Sequence, residues 1–174
     1  VSRSSGSYIA FLDDDDVSLP HRFESQLDAI KKSGREFIVS GYEVRVMETN
    51  ELKDRFMNEL RGYGAGFPSR WMMTKSLFEK VGGFDESMRT MEDPELSYRI
   101  AQHELFAYHM DIVTIMYKSY DSISKGDKTV EGTKQMMEKV AGIIHPSESA
   151  YWYFVLALKY FGIGKLNRSD KYLK

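Results

Sequence analysis

The sequence predicts an α/β layer carrying a helical tail. Three observations support that class. An apolar run, Tyr8-Ile9-Ala10-Phe11-Leu12, does not alternate and ends abruptly in Asp13-Asp14-Asp15-Asp16. Two further strand-like runs, Phe37 to Met47 and Ile112 to Tyr117, are set apart by segments of helical spacing. Beyond Tyr117 only helical patterns follow.

Each element has its local reason. A short apolar run without alternation is the pattern of a strand covered on both faces. Ser18 and Pro20 suit a helix start, with proline near the first helical position. Phe23, Leu27 and Ile30 follow at the spacing of one helix face, and Gly34 is the stop. From Thr49 to Gly66 the pattern is weak and polar, with Gly62, Gly64 and Gly66 in quick succession. It reads either as a surface loop or as a segment that orders over a ligand. Lys75 to Val81 is a short helix stopped by Gly82-Gly83. Asp93-Pro94 opens another, running to about His103 with Leu96 and Ile100 inward. Glu131 to Ile144 is helical, Pro146 breaks it, Ser149 to Phe161 is helical again, and the last residues fit one more helix. The expected division is residues 1–125 as the α/β part and 126–174 as a helical extension.

Composition narrows the function. With 174 residues, 42% of them hydrophobic, the chain has material for one sizeable core. Lys and Arg number 24 against 26 Asp and Glu, so there is no basic field for nucleic acid and no acidic excess for disorder. The absence of cysteine excludes disulfides and thiolate metal sites and fits a reducing compartment. The apolar run Ala150 to Leu158 is too short to span a bilayer, and no secretory signal is visible. The chain opens on Val1 and reaches a buried-type strand within eight residues, so the expectation is a fragment whose partner strands lie upstream.

Four adjacent carboxylates at a strand end repel one another. One reading is a solvated, helix-capping turn, which aspartate favours. The other is a divalent-cation site, because Mg²⁺ and Mn²⁺ take hard carboxylate oxygens and leave room for substrate phosphates. Ligands also collect at the carboxyl ends of strands in open α/β sheets. A calcium loop of the helix–loop–helix kind is excluded. Counting from Asp13 puts Ser18 where the invariant glycine belongs, and counting from Asp14 puts Leu19 there.

The run Gly6-Ser-Tyr-Ile-Ala-Phe-Leu-Asp-Asp-Asp-Asp16, followed by Pro20, resembles the Asp-x-Asp region of family 2 glycosyltransferases of the GT-A fold. A second stretch resembles the same family's downstream signature. It comprises Val81-Gly-Gly-Phe-Asp-Glu86 and then Met91-Glu-Asp-Pro-Glu-Leu-Ser-Tyr-Arg-Ile100, some eighty residues on. The resemblance implies a partial GT-A fold whose N-terminal nucleotide-binding strands lie outside the chain. It implies an inverting, metal-dependent transfer of sugar from a nucleotide donor, of the UDP-sugar class, to a glycan or lipid-linked acceptor.

Carried over, Asp15 is the direct ligand of Mn²⁺ or Mg²⁺, and Asp13 sits beside the ribose and a metal-bound water. Asp14 and Asp16 stand behind them as supporting or capping residues. Asp93 is the base that takes the acceptor's proton, and Glu92 orients the acceptor. Asp93 before Pro94 also fits a plain helix cap, and the two roles can coexist. Arg99 reads as a structural ion-pair residue.

Phe67-Pro-Ser-Arg-Trp-Met72 falls where the family often builds part of its acceptor site. Trp71 there reads either as a sugar-stacking platform or as core. Asp121-Ser-Ile-Ser124 resembles the family's last core segment. Tyr117-Lys-Ser-Tyr120 stands where some members carry a metal-binding histidine, which leaves the third protein ligand open. The four histidines have no metal-ligand spacing. The apolar helix with Tyr151, Trp152, Phe154, Val155, Leu158 and Phe161 is expected to be core, with a peripheral membrane or partner contact as the other reading. The setting implied by resemblance is bacterial surface-polysaccharide assembly in the cytoplasm, at the inner membrane face.

Two rivals stand. Phe11-Leu-Asp-Asp-Asp-Asp-Val17 also fits a haloacid-dehalogenase-type phosphatase, with Asp13 as covalent nucleophile, Asp15 as acid/base and Gly126-Asp127 as the downstream acidic motif. That reading leaves Glu92-Asp93 unused. The other rival is an inactive domain that only recognises a glycan. Sugar, acceptor, linkage and oligomeric state are not legible.

Overall fold

The structure, a computed structural model, describes residues 1–56, 65–118 and 127–164. The expectations for Gly62 and Gly64, for Asp121 to Ser124, for Gly126 and for a last helix lie outside those residues.

A curled, mixed sheet forms the centre. Its spine is β3 (Phe37–Val46), paired in parallel with β6 (Ala107–Lys118). The first residues of β3 pair antiparallel with β5 (Trp71–Thr74), and the last with β4 (Leu52–Phe56). Beyond β5 lies β1 (Tyr8–Ala10), also antiparallel, and beyond β6 lies the two-residue β2 (Val17–Ser18). Alternation along β3 sorts the layers, since successive side chains point to opposite faces. Phe37 and Val39 join Trp71, Met73, Leu77, Leu96 and Ile100 under α2 (Lys75–Lys80) and α3 (Glu92–Ala101). Ile38 and Met72 face Ile30 of α1 (Arg22–Ser33) on the other side.

Several expectations need correcting. The first strand is shorter than the apolar run and sits at an end of the sheet order. Tyr8 and Leu12 are therefore exposed, while only Ile9 is buried. Ser18 belongs to β2, and helix α1 begins only at Arg22. Phe23 is 54% exposed, whereas Arg22 and Gln26, one turn apart, are buried. The polar stripe of α1 thus faces the sheet, where carbonyls, an amide oxygen and a hydroxyl meet it. Arg22 donates to Gln26 Oε1 (3.1 Å), to the Phe11 carbonyl (2.7 Å) and to the Trp71 carbonyl (3.2 Å). Gln26 donates to Ser40 Oγ and to the Arg70 carbonyl, both at 2.9 Å. Part of the supposed loop after Thr49 is strand β4, held by Arg55 and Arg45 on the buried carboxylate of Glu43.

The tail is a helix pair, α4 (Asp127–Val140) and α5 (Pro146–Gly162). Pro146 opens α5 rather than merely breaking α4, because His145 caps it and Glu148 closes a capping box. Met136, Val140, Trp152 and Leu156 share a core with Met88 and Tyr98, and Trp152 Nε1 donates to the Tyr98 hydroxyl at 2.8 Å. Only one face of α5 is core. Tyr153, Phe154, Leu158 and Phe161 are exposed, so the expectation that this helix is core holds for Trp152 and Leu156 but not for these four. No helix among the described residues is long and apolar enough to cross a membrane.

Candidate active site

The acidic run leaves the sheet as a turn, with the Asp16 N–H donating to the Asp13 carbonyl at 3.2 Å. Asp13, Asp14 and Asp15 are exposed, while Asp16 is 9% exposed. Ser69 anchors the turn: its Oγ accepts from the Asp13 N–H at 2.9 Å. Its hydroxyl also lies against the carboxyls of both Asp13 and Asp16. Asp13, Asp15 and Asp16 line a pocket of about 210 Å³ together with Phe67, Met116, Tyr117 and Lys118.

The second motif arrives from the other side. The Gly82-Gly83 turn is tied to α3 by Arg99, which pairs with Glu95 (2.6 Å) and donates to the carbonyls of Val81 (2.5 Å) and Gly83 (2.7 Å). Arg99 is thus structural. Glu92 and Asp93 open α3 right after Met91, which holds φ = 67°. The Phe67 N–H donates to Asp93 Oδ2 at 2.8 Å, and Phe67 itself holds φ = 82°. Three non-glycine residues in the described chain have positive φ, and two of them flank this one carboxylate. Such strain concentrates where surrounding structure holds a functional geometry.

The electrostatics show that the motifs meet. Asp93 is pushed up to about 6, first by loss of water, with Glu92 and Asp13 adding repulsion against the Phe67 hydrogen bond. Asp13 is raised by desolvation, then by Asp15, and further by Glu92 and Asp14. Asp16 is raised to about 6 by burial, with Asp13 and Asp15 contributing. A charge eighty positions away in sequence is therefore among the neighbours of Asp13.

The residues fit a hard cation. Asp16 Oδ2 is buried without a hydrogen-bond partner, and Asp13 and Asp15 repel the Asp16 charge against the help of Ser69, the Tyr117 backbone and Arg22. Among the described residues no three carboxylate or imidazole groups converge on one point. A cation there would take two carboxylates and complete its shell from phosphate oxygens and water, the habit of Mg²⁺ and Mn²⁺.

Trp71 corrects the acceptor-site expectation. Its ring is fully buried, 5.4 Å from Phe37 and 6.4 Å from Phe11, both edge-on. It sits on the core face of β5 and offers no face to a sugar. Ser69 and the Phe67 N–H, in the same quoted stretch, are the residues that touch the site instead. Elsewhere, Ser25, His109 and Asp111 have the residue types of a nucleophile triad. Serine and carboxylate crowd the same imidazole nitrogen, however, so no relay is formed. A larger cavity of about 410 Å³ between α4 and α5, lined in part by Met137, Ala141, Ile144 and Leu156, contains none of the acidic site residues.

Comparison with known proteins agrees with this geometry. Residues 1–89, just over half the chain, match the sequence profile of Glycosyl transferase family 2. The chain belongs to that family. An uncharacterized glycosyltransferase of Rickettsia conorii is 26% identical over 146 residues, covering 75% of this chain and 23% of that protein. Among solved structures, S. aureus TarS 1–349 in complex with UDP-GlcNAc aligns with TM-score 0.57 at 10% identity, covering 92% of this chain and 50% of that one. Its complex with UDP aligns with TM-score 0.56 at 11% identity, over 95% and 50%. These likenesses are of fold, and they support the GT-A class. The chain thus spans about a quarter of one relative and half of the other. Family membership removes the phosphatase reading, which had no use for Glu92-Asp93.

Proposed function

We propose that the chain carries the metal side and the acceptor side of an inverting, nucleotide-sugar-dependent glycosyl transfer. The observation behind this is the convergence of Asp13 with Glu92 and Asp93, each within reach of the others' charge. Asp13 and Asp15 would hold Mn²⁺ or Mg²⁺, with Asp14 and Asp16 behind them. When bound, the metal supplies charge stabilisation for the departing nucleoside diphosphate. TarS structures hold UDP-GlcNAc and UDP, which supports a UDP-sugar as donor class.

Asp93 acts as general base. It takes the proton of an acceptor hydroxyl while that oxygen attacks the anomeric carbon. One carbon–oxygen bond forms as the bond to diphosphate breaks, giving inversion. A carboxylate titrating at about 6 is ionised at neutral pH yet more basic than ordinary aspartate, which suits the role. Glu92 orients the acceptor, a glycan or lipid-linked sugar at the cytoplasmic face of a membrane.

The test is turnover by the full-length protein on a panel of UDP-sugars. Asp15→Ala and Asp93→Asn are each expected to lower kcat by about 10³-fold, within the range for a lost base or metal ligand. Near-normal turnover by Asp93→Asn would remove the base assignment.

A further inference from the structure

The helical tail reaches the turn that presents the same carboxylate. Lys159, on α5, is half-buried and sends its ammonium toward the first turn of α3. Its Nζ donates to Thr133 Oγ1 at 2.8 Å and to the Thr129 carbonyl at 3.5 Å, and lies 3.7 Å from Met91 Sδ. Met91 is the strained residue two positions before Asp93. Thr133 gives its own proton to the Thr129 carbonyl at 2.7 Å, so its oxygen is free to accept from the lysine. Packing around this contact is tight. A side chain at Gly132 on α4 would fall on Thr90 Oγ1 and come within 2.8 Å of the Thr90 carbonyl. Thr90 Oγ1 in turn donates to the Lys128 carbonyl at 3.3 Å. The tail therefore braces the Thr90-Met91 turn from which Glu92 and Asp93 depart.

A buried apolar side chain would satisfy packing at position 159 without the cost of drawing an ammonium from water. Among the described residues the charge that acts on Lys159 is Asp93. Burial pulls the ammonium below the usual lysine range and Asp93 pushes it back. The groups facing Asp93 are Glu92 on its own helix, Asp13 from the acidic turn, the Phe67 N–H, and Lys159 from α5. Two are negative and one is a neutral donor, which leaves Lys159 as the compensating cation.

We infer that Lys159 is a positioning residue for Asp93, holding the turn that presents it and supplying the positive charge that offsets Glu92 and Asp13. The α4–α5 tail is then part of the transfer site rather than an appendage. This rests on reading Asp93 as the base, although the coupling itself does not.

The test is a ¹³C-carboxyl NMR titration of the chain in EDTA, with Asp93→Asn used to assign the Asp93 signal. Removing a cation near a carboxylate disfavours its charged form, so Lys159→Met should raise the Asp93 midpoint by about half a pH unit or more. Lys159→Arg should restore it. An unmoved midpoint in folded Lys159→Met, or an equal shift in Lys159→Arg, overturns the inference. Should Lys159→Met not fold, the wild-type Lys159 ¹⁵Nζ signal should follow the Asp93 midpoint and lose that step in Asp93→Asn. A missing step overturns it as well. The acid limb of kcat/KM should move upward with the Lys159→Met midpoint. A moved midpoint without any transfer activity would count against the glycosyltransferase reading and leave the Lys159 coupling standing.

Discussion

Two groups of buried or half-buried polar side chains lie within a few residues of each other, and they are built on opposite rules. Around Arg22 and Gln26 the Arg22 Nε and Nη2 and the Gln26 amide meet a carbonyl, an amide oxygen or a hydroxyl, and Asp16 nearby supplies opposite charge. Around Asp13, Asp16 and Asp93 carboxylates face carboxylates, one carboxylate oxygen is orphaned, and two carboxyls stay raised to about 6 although Arg22 lies near Asp16 and Lys159 near Asp93. The first group is finished by the chain alone. The second keeps an orphaned oxygen and two carboxyls whose burial the nearby cations do not offset. A satisfied buried network serves stability, whereas a frustrated one at a strand end marks a ligand site.

The comparison predicts opposite responses to mutation. Arg22→Met strips the Phe11 and Trp71 carbonyls of their donor and leaves Gln26 half-paired, at a cost of about 3 kcal/mol or more. Urea unfolding should show a lower midpoint at unchanged slope. A loss below about 1 kcal/mol would mean the network is replaceable by packing. Asp16→Asn should instead stabilise, because Arg22 offsets only part of its burial and repulsion. The expected gain is about 2–4 °C in Tm without metal, the shift that ~1 kcal/mol gives at this size. A fall in Tm would show that Asp16 is held as an ion pair with Arg22 after all.

The smallest effect is in pH. Asp16 and Asp93 have folded pKa values above their unfolded ones, so their contribution is fully present below pH about 4 and lost as pH rises through about 6. Metal-free protein should therefore gain stability between pH 7.5 and 5.5. Carboxyls that the fold lowers, such as Glu43 and Asp111, act in the reverse sense and at lower pH. Saturating Mn²⁺ should flatten the gain, because a cation bound at the carboxylates competes with protons. Equal slopes with and without Mn²⁺ would separate the frustrated cluster from metal binding.

Much of this arrangement is legible in the residues. The non-alternating run before four aspartates locates the acidic turn, and Asp93-Pro94 locates α3 within a residue. Long strands and helices follow from period and caps. Three things do not. Strand β5 has only four residues, too short a run to show its period, so the sequence leaves Trp71 open between a sugar platform and core, and the structure makes it core. Arg22 and Gln26 look like a solvated helix face, because no local signal says that distant carbonyls will meet them. Lys159 carries no motif, and its nearness to Asp93 is set by helix packing in three dimensions.

The most direct test of the account is calorimetric titration of UDP with Mn²⁺ into full-length Asp93→Asn and Asp15→Ala proteins side by side. In the proposed function donor binding falls to the acidic turn and acceptor activation to α3. Asp93→Asn should then bind within about a factor of two of wild type, under 0.5 kcal/mol, while Asp15→Ala should lose metal-dependent binding. Loss of binding in Asp93→Asn, or wild-type binding in Asp15→Ala, would contradict that division of labour.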